Sequence, residues 1–410
     1  MNIIDLFSGG GGLTEGFKQT GYNILCHVEM DKDACDTLRT REAYYFLKEN
    51  NRLDTYNDYL QGKISKENLY KVIPMNRLKK VLNYRISHED LPTVMESIND
   101  LKGVNSIDGI IGGPPCQAYS TIGRARNKLI KETDERVYLY KFYAKFLEAY
   151  SPNFFIFENV KGLLSYKDFL DQALLPEILN EFESKGYNVE YRIINSEEFG
   201  VPQKRERVFI FGIKKSCGIS AREFFDGLQK YKESSINIGD LFQDLPKMQS
   251  GEESNRYSNF KPVEFVSRNI RNGNYVLSQN IVRPNNLRDK KIYKLVVEAK
   301  NEGGNLKYNE LPEALRTHKN DQHFLDRFKC LDEKKRAHTL VAHISKDGHY
   351  YIHPDKEQNR SISVREAARI QTFPDNYYFE SSRTAALKQI GNAVPVVLAK
   401  KIAMGIDDIF

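Results

Sequence analysis

The sequence predicts an α/β fold, a mostly parallel twisted sheet with helices on both faces, joined to a smaller module. Three observations carry the prediction. The chain opens with an apolar run (residues 1–7) that passes through the turn Ser8-Gly9-Gly10-Gly11-Gly12 into a helical start at residues 13–17. Short apolar runs at 107–111, 153–160 and 208–212 read as buried strands. Residues able to do chemistry stand at or beside their ends, and α/β enzymes hold ligands at the carboxyl ends of their strands. At 410 residues the chain has room for a large domain and a second module.

Taken in order, the first element is a strand, turn and helix of the kind that holds a nucleotide-type cofactor. Glycines let the backbone approach a ligand, and a helix start offers free N–H groups. Tight turns of any kind also use glycine, so this turn alone decides little. A second strand, residues 22–28, ends in Glu29. A carboxylate at that tip suits the two hydroxyls of a ribose, or is simply a solvated strand end. The run at 107–111 is stopped by Gly112-Gly113-Pro114-Pro115, and Cys116 follows. A thiol on a rigid loop past a core strand suits a nucleophile; a lone Cys is otherwise a small buried hydrophobe. Further on stand Glu158-Asn159-Val160 and Phe199-Gly200-Val201-Pro202-Gln203-Lys204-Arg205-Glu206-Arg207. Their bland alternatives are a capped strand end and a surface ladder of ion pairs. The last segments of note are Ser363-Val364-Arg365-Glu366-Ala367-Ala368-Arg369-Ile370-Gln371-Thr372-Phe373-Pro374 and Gln389-Ile390-Gly391-Asn392-Ala393-Val394-Pro395.

In this order, the segments resemble the cytosine-C5 DNA methyltransferases. The resemblance runs from Asp5 to about Ile402, apart from residues 41–92 and 236–355. It implies a Rossmann-like, S-adenosylmethionine-dependent catalytic domain at 1–235 with an insertion at about 41–92. A target recognition domain would occupy 236–355, and a C-terminal segment, 356–410, would return to the catalytic domain. Carbon 5 of cytosine is a poor nucleophile until a thiolate adds to carbon 6, and the resemblance assigns that thiolate to Cys116. Glu158 would be the acid at cytosine N3, with burial raising its pKa toward that role. Arg207 would hold the cytosine carbonyl, and Arg205 and Arg207 would supply positive charge that exposes the thiolate. The cofactor residues carried over by position are Phe7, Gly9, Gly11, Glu29, Asp100, Pro115, Asn392 and Val394, with Asp100 accepting from the adenine amino group. The loop from Gln117 to about Arg136 resembles the family's mobile catalytic loop. Its Gln117, Ser120, Arg124 and Arg126, with Gln203 and Thr339, would contact DNA. Thr339-Leu340 resembles a short signature of the recognition domain.

Composition narrows the setting. No run of about 18 apolar residues suggests a membrane span. The chain enters its first strand at once, which leaves no space for a signal peptide. The five cysteines are scattered, as in a reducing compartment. A bacterial cytoplasmic enzyme is the expectation. The net charge of +6 is unevenly spread: residues 256–336 hold 18 Lys and Arg against 10 Asp and Glu, so the remainder is slightly acidic. A positive module on such a body suits a polyanionic partner. Six of the eight histidines (His318, His323, His338, His343, His349 and His353) fall in the recognition region. Only Cys330 lies near them and no paired ligand spacing appears, so no metal is expected. The insertion, with Tyr44, Leu47, Leu53, Tyr56 and Leu60, suggests helices packed on the catalytic domain.

Three functions compete. The first is methylation of duplex DNA by a monomer, the target base rotated out of the stack, protecting DNA from a restriction endonuclease that acts separately. The second is RNA (tRNA) cytosine methylation, since a tRNA-modifying branch of the family shares the Pro-Cys and Glu-Asn-Val motifs. The third is a DNA-binding autoregulator with weak activity. The large basic recognition region favours the first, and the presence of Cys116, Glu158 and Arg207 speaks against the third.

Overall fold

Seven strands form the central sheet among the described residues of the computed structural model, which are 1–115, 135–168, 170–273, 275–317, 322–323 and 325–410. They are β1 (Asn2–Leu6), β2 (Asn23–Glu29), β3 (Val81–Asn83), β4 (Gly109–Gly112), β5 (Phe154–Val160), β6 (Tyr187–Asn195) and β7 (Glu206–Lys214). Their spatial order is β3-β2-β1-β4-β5-β7-β6. Strands β1 to β5 run parallel, and β7 lies reversed between β5 and β6. The chain winds one way from β1 to β3 and the other way from β4 onward. That reversal opens a crevice at the carboxyl ends of β1 and β4.

Successive side chains of a strand point to opposite faces, and here both faces are dry. Phe154, Ile156, Phe209 and Phe211 enter one core; Phe155, Phe157, Val208 and Ile210 enter the other. Helices Gly12–Gln19, Ala221–Leu228 and Val396–Asp407 cover the first face. Helices Leu91–Lys102, Leu139–Tyr150 and Leu174–Ser184 cover the second. A Cβ on Gly212 would stand 2.0 Å from a Phe155 ring carbon, and one on Gly109 2.2 Å from the Phe154 ring. Glycine at those two strand positions is what admits the phenylalanines.

The region 236–355, expected as a recognition domain, is only partly separate. Ile238, Phe265, Leu277, Leu340 and Tyr351 belong to the first core, whereas Ile292, Tyr293, Val297, Tyr308, Leu311 and Ile352 form a small core of their own. Helix Val364–Ile370, opened by the capping box of Ser363 and Glu366, makes the joint. Its Arg369 is fully buried and pairs with Asp244 and with Asp375. Arg365 donates to the carbonyls of Ser278 (2.8 Å) and Pro374 (3.1 Å). Removing one partner of such a buried pair costs about 3–5 kcal/mol, because the other charge is left uncompensated.

Residues 41–92 are largely helical, with helices Leu53–Leu60, Lys66–Lys71 and Met75–Leu78, and they pack as far as the C-terminal segment. Tyr44, Tyr56 and Tyr59 pack with Tyr275, Val276 and Tyr378. Arg41 forks onto Glu15 at 2.8 and 2.6 Å and also reaches Asn376 Oδ1 at 2.9 Å. The first helix is thereby tied to the C-terminal segment. Among the described residues no group of three or more His, Cys, Asp or Glu is placed to hold a metal ion. His353 is buried and His338 half-buried, and burial pushes the pKa of each down to about 4. No helix of the described residues is long and apolar enough to cross a membrane.

Candidate active site

At the end of β1 the backbone turns through left-handed conformations at Phe7 (φ 58°), Gly9 (53°) and Gly11 (77°). Glycine adopts that region freely, whereas Phe7 does so at a cost of roughly 1–2 kcal/mol. The glycines divide the work. A Cβ on Gly9 would meet nothing within 4 Å, so Gly9 faces the open side of the turn. A Cβ on Gly11 would stand 2.4 Å from the Tyr377 hydroxyl, and one on Gly12 2.2 Å from the Val394 carbonyl oxygen. Those two let the C-terminal segment lie directly on the turn, where Tyr377 also donates to the Gly10 carbonyl at 2.9 Å. Val394 thus sits at the turn, and Asn392 is exposed at the end of helix Arg383–Asn392.

Glu29, at the tip of β2, faces the same turn. Its Oε2 accepts from the Gly9 N–H and its Oε1 from the Asp31 N–H, both at 2.7 Å. Burial raises its pKa against the lowering effect of those bonds. Each carboxylate oxygen keeps a lone pair for a hydroxyl. An open glycine face, a helix start and a fixed acceptor pair fit a ligand with a ribose and an amino-acid end.

Further along the same sheet edge, β5 carries Glu158. Antiparallel pairing with β7 sets Val160 opposite Arg207. Arg207 Nε lies 3.2 Å from Glu158 Oε1, and both side chains are 13% exposed. Burial pushes the Glu158 pKa up, opposed first by Arg207 and then by Arg205. The loop that follows β4 crosses this carboxyl: a Cβ on Gly113 would stand 2.7 Å from Glu158 Oε2. Asn159, buried beside it, donates to the Pro114 carbonyl at 3.4 Å. Pro115 is half-buried at the end of that loop. Cys116, Gln117, Ser120, Arg124 and Arg126 lie outside the described residues.

Three expected positions look different in the structure. Asp100 is exposed near the C-terminal end of helix Leu91–Lys102. That helix leaves β3 and leads back to the start of β4, so its C-terminal end lies at the sheet edge opposite the cofactor turn. Asp90, at the N-terminal end of the same helix, is on the edge that carries the glycine turn, half-buried, and accepts from Ser87 Oγ at 3.1 Å. The proline at position 92, a helix-start signal, marks that end in the sequence. Gln203, expected at DNA, is fully buried: Leu340 N–H donates to its Oε1 (2.7 Å) and its Nε2 donates to Gln371 Oε1 (3.0 Å). Arg205 is also buried and donates to the carbonyls of Leu340 (2.5 Å) and Gly391 (3.4 Å). Its guanidinium joins the start of β7 to the region 236–355 and the C-terminal segment, and acts on Glu158 as a nearby charge.

Thr339 donates to the Lys204 carbonyl at 2.7 Å. With Lys161, Lys204, Glu206 and His338 it lines an open hollow of about 260 Å³. Here residues next to the ends of β5 and β7 meet the region 236–355.

The comparisons with known proteins agree with that architecture. The family model described as C-5 cytosine-specific DNA methylase matches residues 1–66 and 76–408. The type II methyltransferase M.Bpa9945I of Bacillus paralicheniformis is 40% identical over 100% of this chain and 99% of its own length. M.DdeI, a type II methyltransferase of Desulfomicrobium norvegicum, is 30% identical over 98% of this chain and 88% of its own. Among solved structures, a DNA modification methyltransferase encoded within an E. coli prophage superposes with a TM-score of 0.63 at 22% identity, covering 100% of this chain and 99% of that one. The Dnmt2 methyltransferase of S. pombe superposes at 0.51 and 14% identity, covering 100% and 99%, which speaks to the fold alone. The chain belongs to the C-5 cytosine-specific DNA methylase family and is a DNA (cytosine-C5) methyltransferase.

Proposed function

We propose that this enzyme methylates carbon 5 of a cytosine in a specific duplex DNA sequence, with S-adenosylmethionine as donor and a covalent adduct on Cys116. The observation that carries the reading is the Glu158–Arg207 pair, half-buried at the strand edge that the loop into Cys116 crosses. Arg207 holds the cytosine carbonyl. Glu158, which burial inclines toward its neutral form, holds a proton at N3. When the Cys116 thiolate adds to carbon 6, the electron pair entering the ring is balanced by that proton, and carbon 5 becomes nucleophilic. S-adenosylmethionine supplies an electrophilic methyl group when bound. Loss of the C5 proton and expulsion of the thiolate then restore the aromatic ring and the free cysteine. A base stacked in a duplex cannot present its N3 edge to a carboxyl recessed at a strand end, so the cytosine leaves the stack.

Glu29 takes the ribose hydroxyls, and Phe7, Gly9, Gly11, Pro115, Asn392 and Val394 line the rest of the donor site. Asp90 replaces Asp100 as acceptor for the adenine amino group, on the ground of its sheet edge. The named type II relatives support a protective partnership with a restriction endonuclease that acts separately. Bisulfite sequencing of DNA from bacteria expressing the chain tests this reading. Protected cytosines confined to one sequence context, and lost with Cys116→Ala, are expected. Full conversion at every cytosine, with wild-type protein present, would overturn it.

A further inference from the structure

We infer that the side-chain amide of Gln389 belongs to the methyl-donor site and makes its hydrogen bonds with the amino-acid end of the donor. The inference rests on the proposed use of S-adenosylmethionine and adds a residue to it. Helix Arg383–Asn392 lays Gln389 against the glycine-rich turn: a Cβ on Gly10 would stand 3.0 Å from Gln389 Cβ and 3.5 Å from its carbonyl oxygen. Gln389 is 5% exposed, and both its Oε1 and its Nε2 are buried without a hydrogen-bond partner among the described residues. Its surroundings are otherwise satisfied. Lys388 pairs with Asp31 at 2.6 Å, and the Gly10 carbonyl accepts from Tyr377.

A buried amide that uses neither its donors nor its acceptor is destabilising, and native interiors keep few of them. In the free enzyme an aliphatic side chain of similar size would serve better at this place. The amide is useful only in a state in which partners arrive, and the turn it touches is the donor's seat. The chemistry matches on both sides. A carboxamide offers two N–H donors and one oxygen acceptor; the amino-acid end of S-adenosylmethionine offers an accepting carboxylate and a donating ammonium. Contact requires the Gly10 peptide to shift off the Gln389 side chain. The flanking residues Gly9 and Gly11, already at positive φ, permit that shift, which gives up the bonds of the Gly10 carbonyl to Tyr377 and of the Gly11 N–H to the Ser8 carbonyl.

The test uses the full chain with Gln389→Leu, and Gln389→Met as a second apolar replacement should the first fold poorly. Donor affinity is measured by calorimetry without DNA, alongside thermal unfolding and steady-state rates. We expect the free-protein Tm to stay level or rise by roughly 1–3 °C. The Kd for S-adenosylmethionine and for S-adenosylhomocysteine should weaken about tenfold. Binding of 5′-methylthioadenosine, which lacks the amino-acid end, should be unchanged. KM for the donor should rise in step while kcat stays within about threefold. Unchanged donor affinity in both variants would overturn the inference, as would an equal loss for methylthioadenosine. A lower free-protein Tm with intact donor binding would also overturn it, by pointing to a trapped water. Failure of the wild type to bind S-adenosylmethionine at all would instead remove the reading beneath it.

Discussion

Glu29 and Glu158 lie on parallel strands at the same edge of one sheet, and burial raises the pKa of both. What answers that burial differs. Glu29 is met by two neutral backbone donors, the N–H groups of Asp31 and Gly9, each at 2.7 Å. Glu158 is met by guanidinium charge, Arg207 at 3.2 Å and Arg205 beyond it. Backbone dipoles anchored in a turn hold a carboxylate in one orientation as an acceptor. A cation beside a buried carboxyl leaves it between two stabilised forms, able to carry a proton and to feel a change of charge nearby. The first arrangement suits binding, and the second suits chemistry.

Exchanging each acid for its amide should break this contrast most visibly. Glu158→Gln is expected to lower methyl transfer roughly 10²- to 10⁴-fold while DNA affinity holds within a few-fold. Glu29→Gln, which replaces one acceptor oxygen by a donor, should act mainly on the donor KM, by about tenfold. Steady-state kinetics and DNA-binding measurements on the two variants check this. Equal losses of kcat would erase the distinction.

A smaller effect sharpens it. If Glu158 works in its protonated form, kcat/KM falls as pH rises through its raised pKa. Arg207 lowers that pKa, so Arg207→Leu should shift the falling limb to higher pH, by roughly one unit, on a much reduced rate. A limb that stays in place or moves to lower pH would assign it to another group.

The two ends of the site were not equally legible in the sequence. The glycine turn, Glu29 and the Glu158 and Arg207 pair follow from motif order, because each stands at the end of an apolar run whose strand character is plain. A short acidic motif does not say which end of a helix it occupies: the β3-to-β4 crossover puts Asp100 at the edge away from the glycine turn and Asp90 at the edge beside it. Gln203 and Arg205 look like surface groups in a polar stretch, yet the joint between the region 236–355 and the C-terminal segment closes over both. Burial created by contacts between residues more than 130 positions apart leaves no local signal. The orphaned amide of Gln389 is invisible for the same reason.

The most direct test of the account joins the enzyme, S-adenosylmethionine and a duplex carrying 5-fluorocytosine at the target. Fluorine at carbon 5 cannot leave as a proton does, so the adduct should persist. Denaturing electrophoresis should show one cross-linked species, and peptide mass spectrometry should find the methylated fluorocytosine on Cys116. An adduct on any other residue, or methylated product with no adduct at all, would contradict the mechanism.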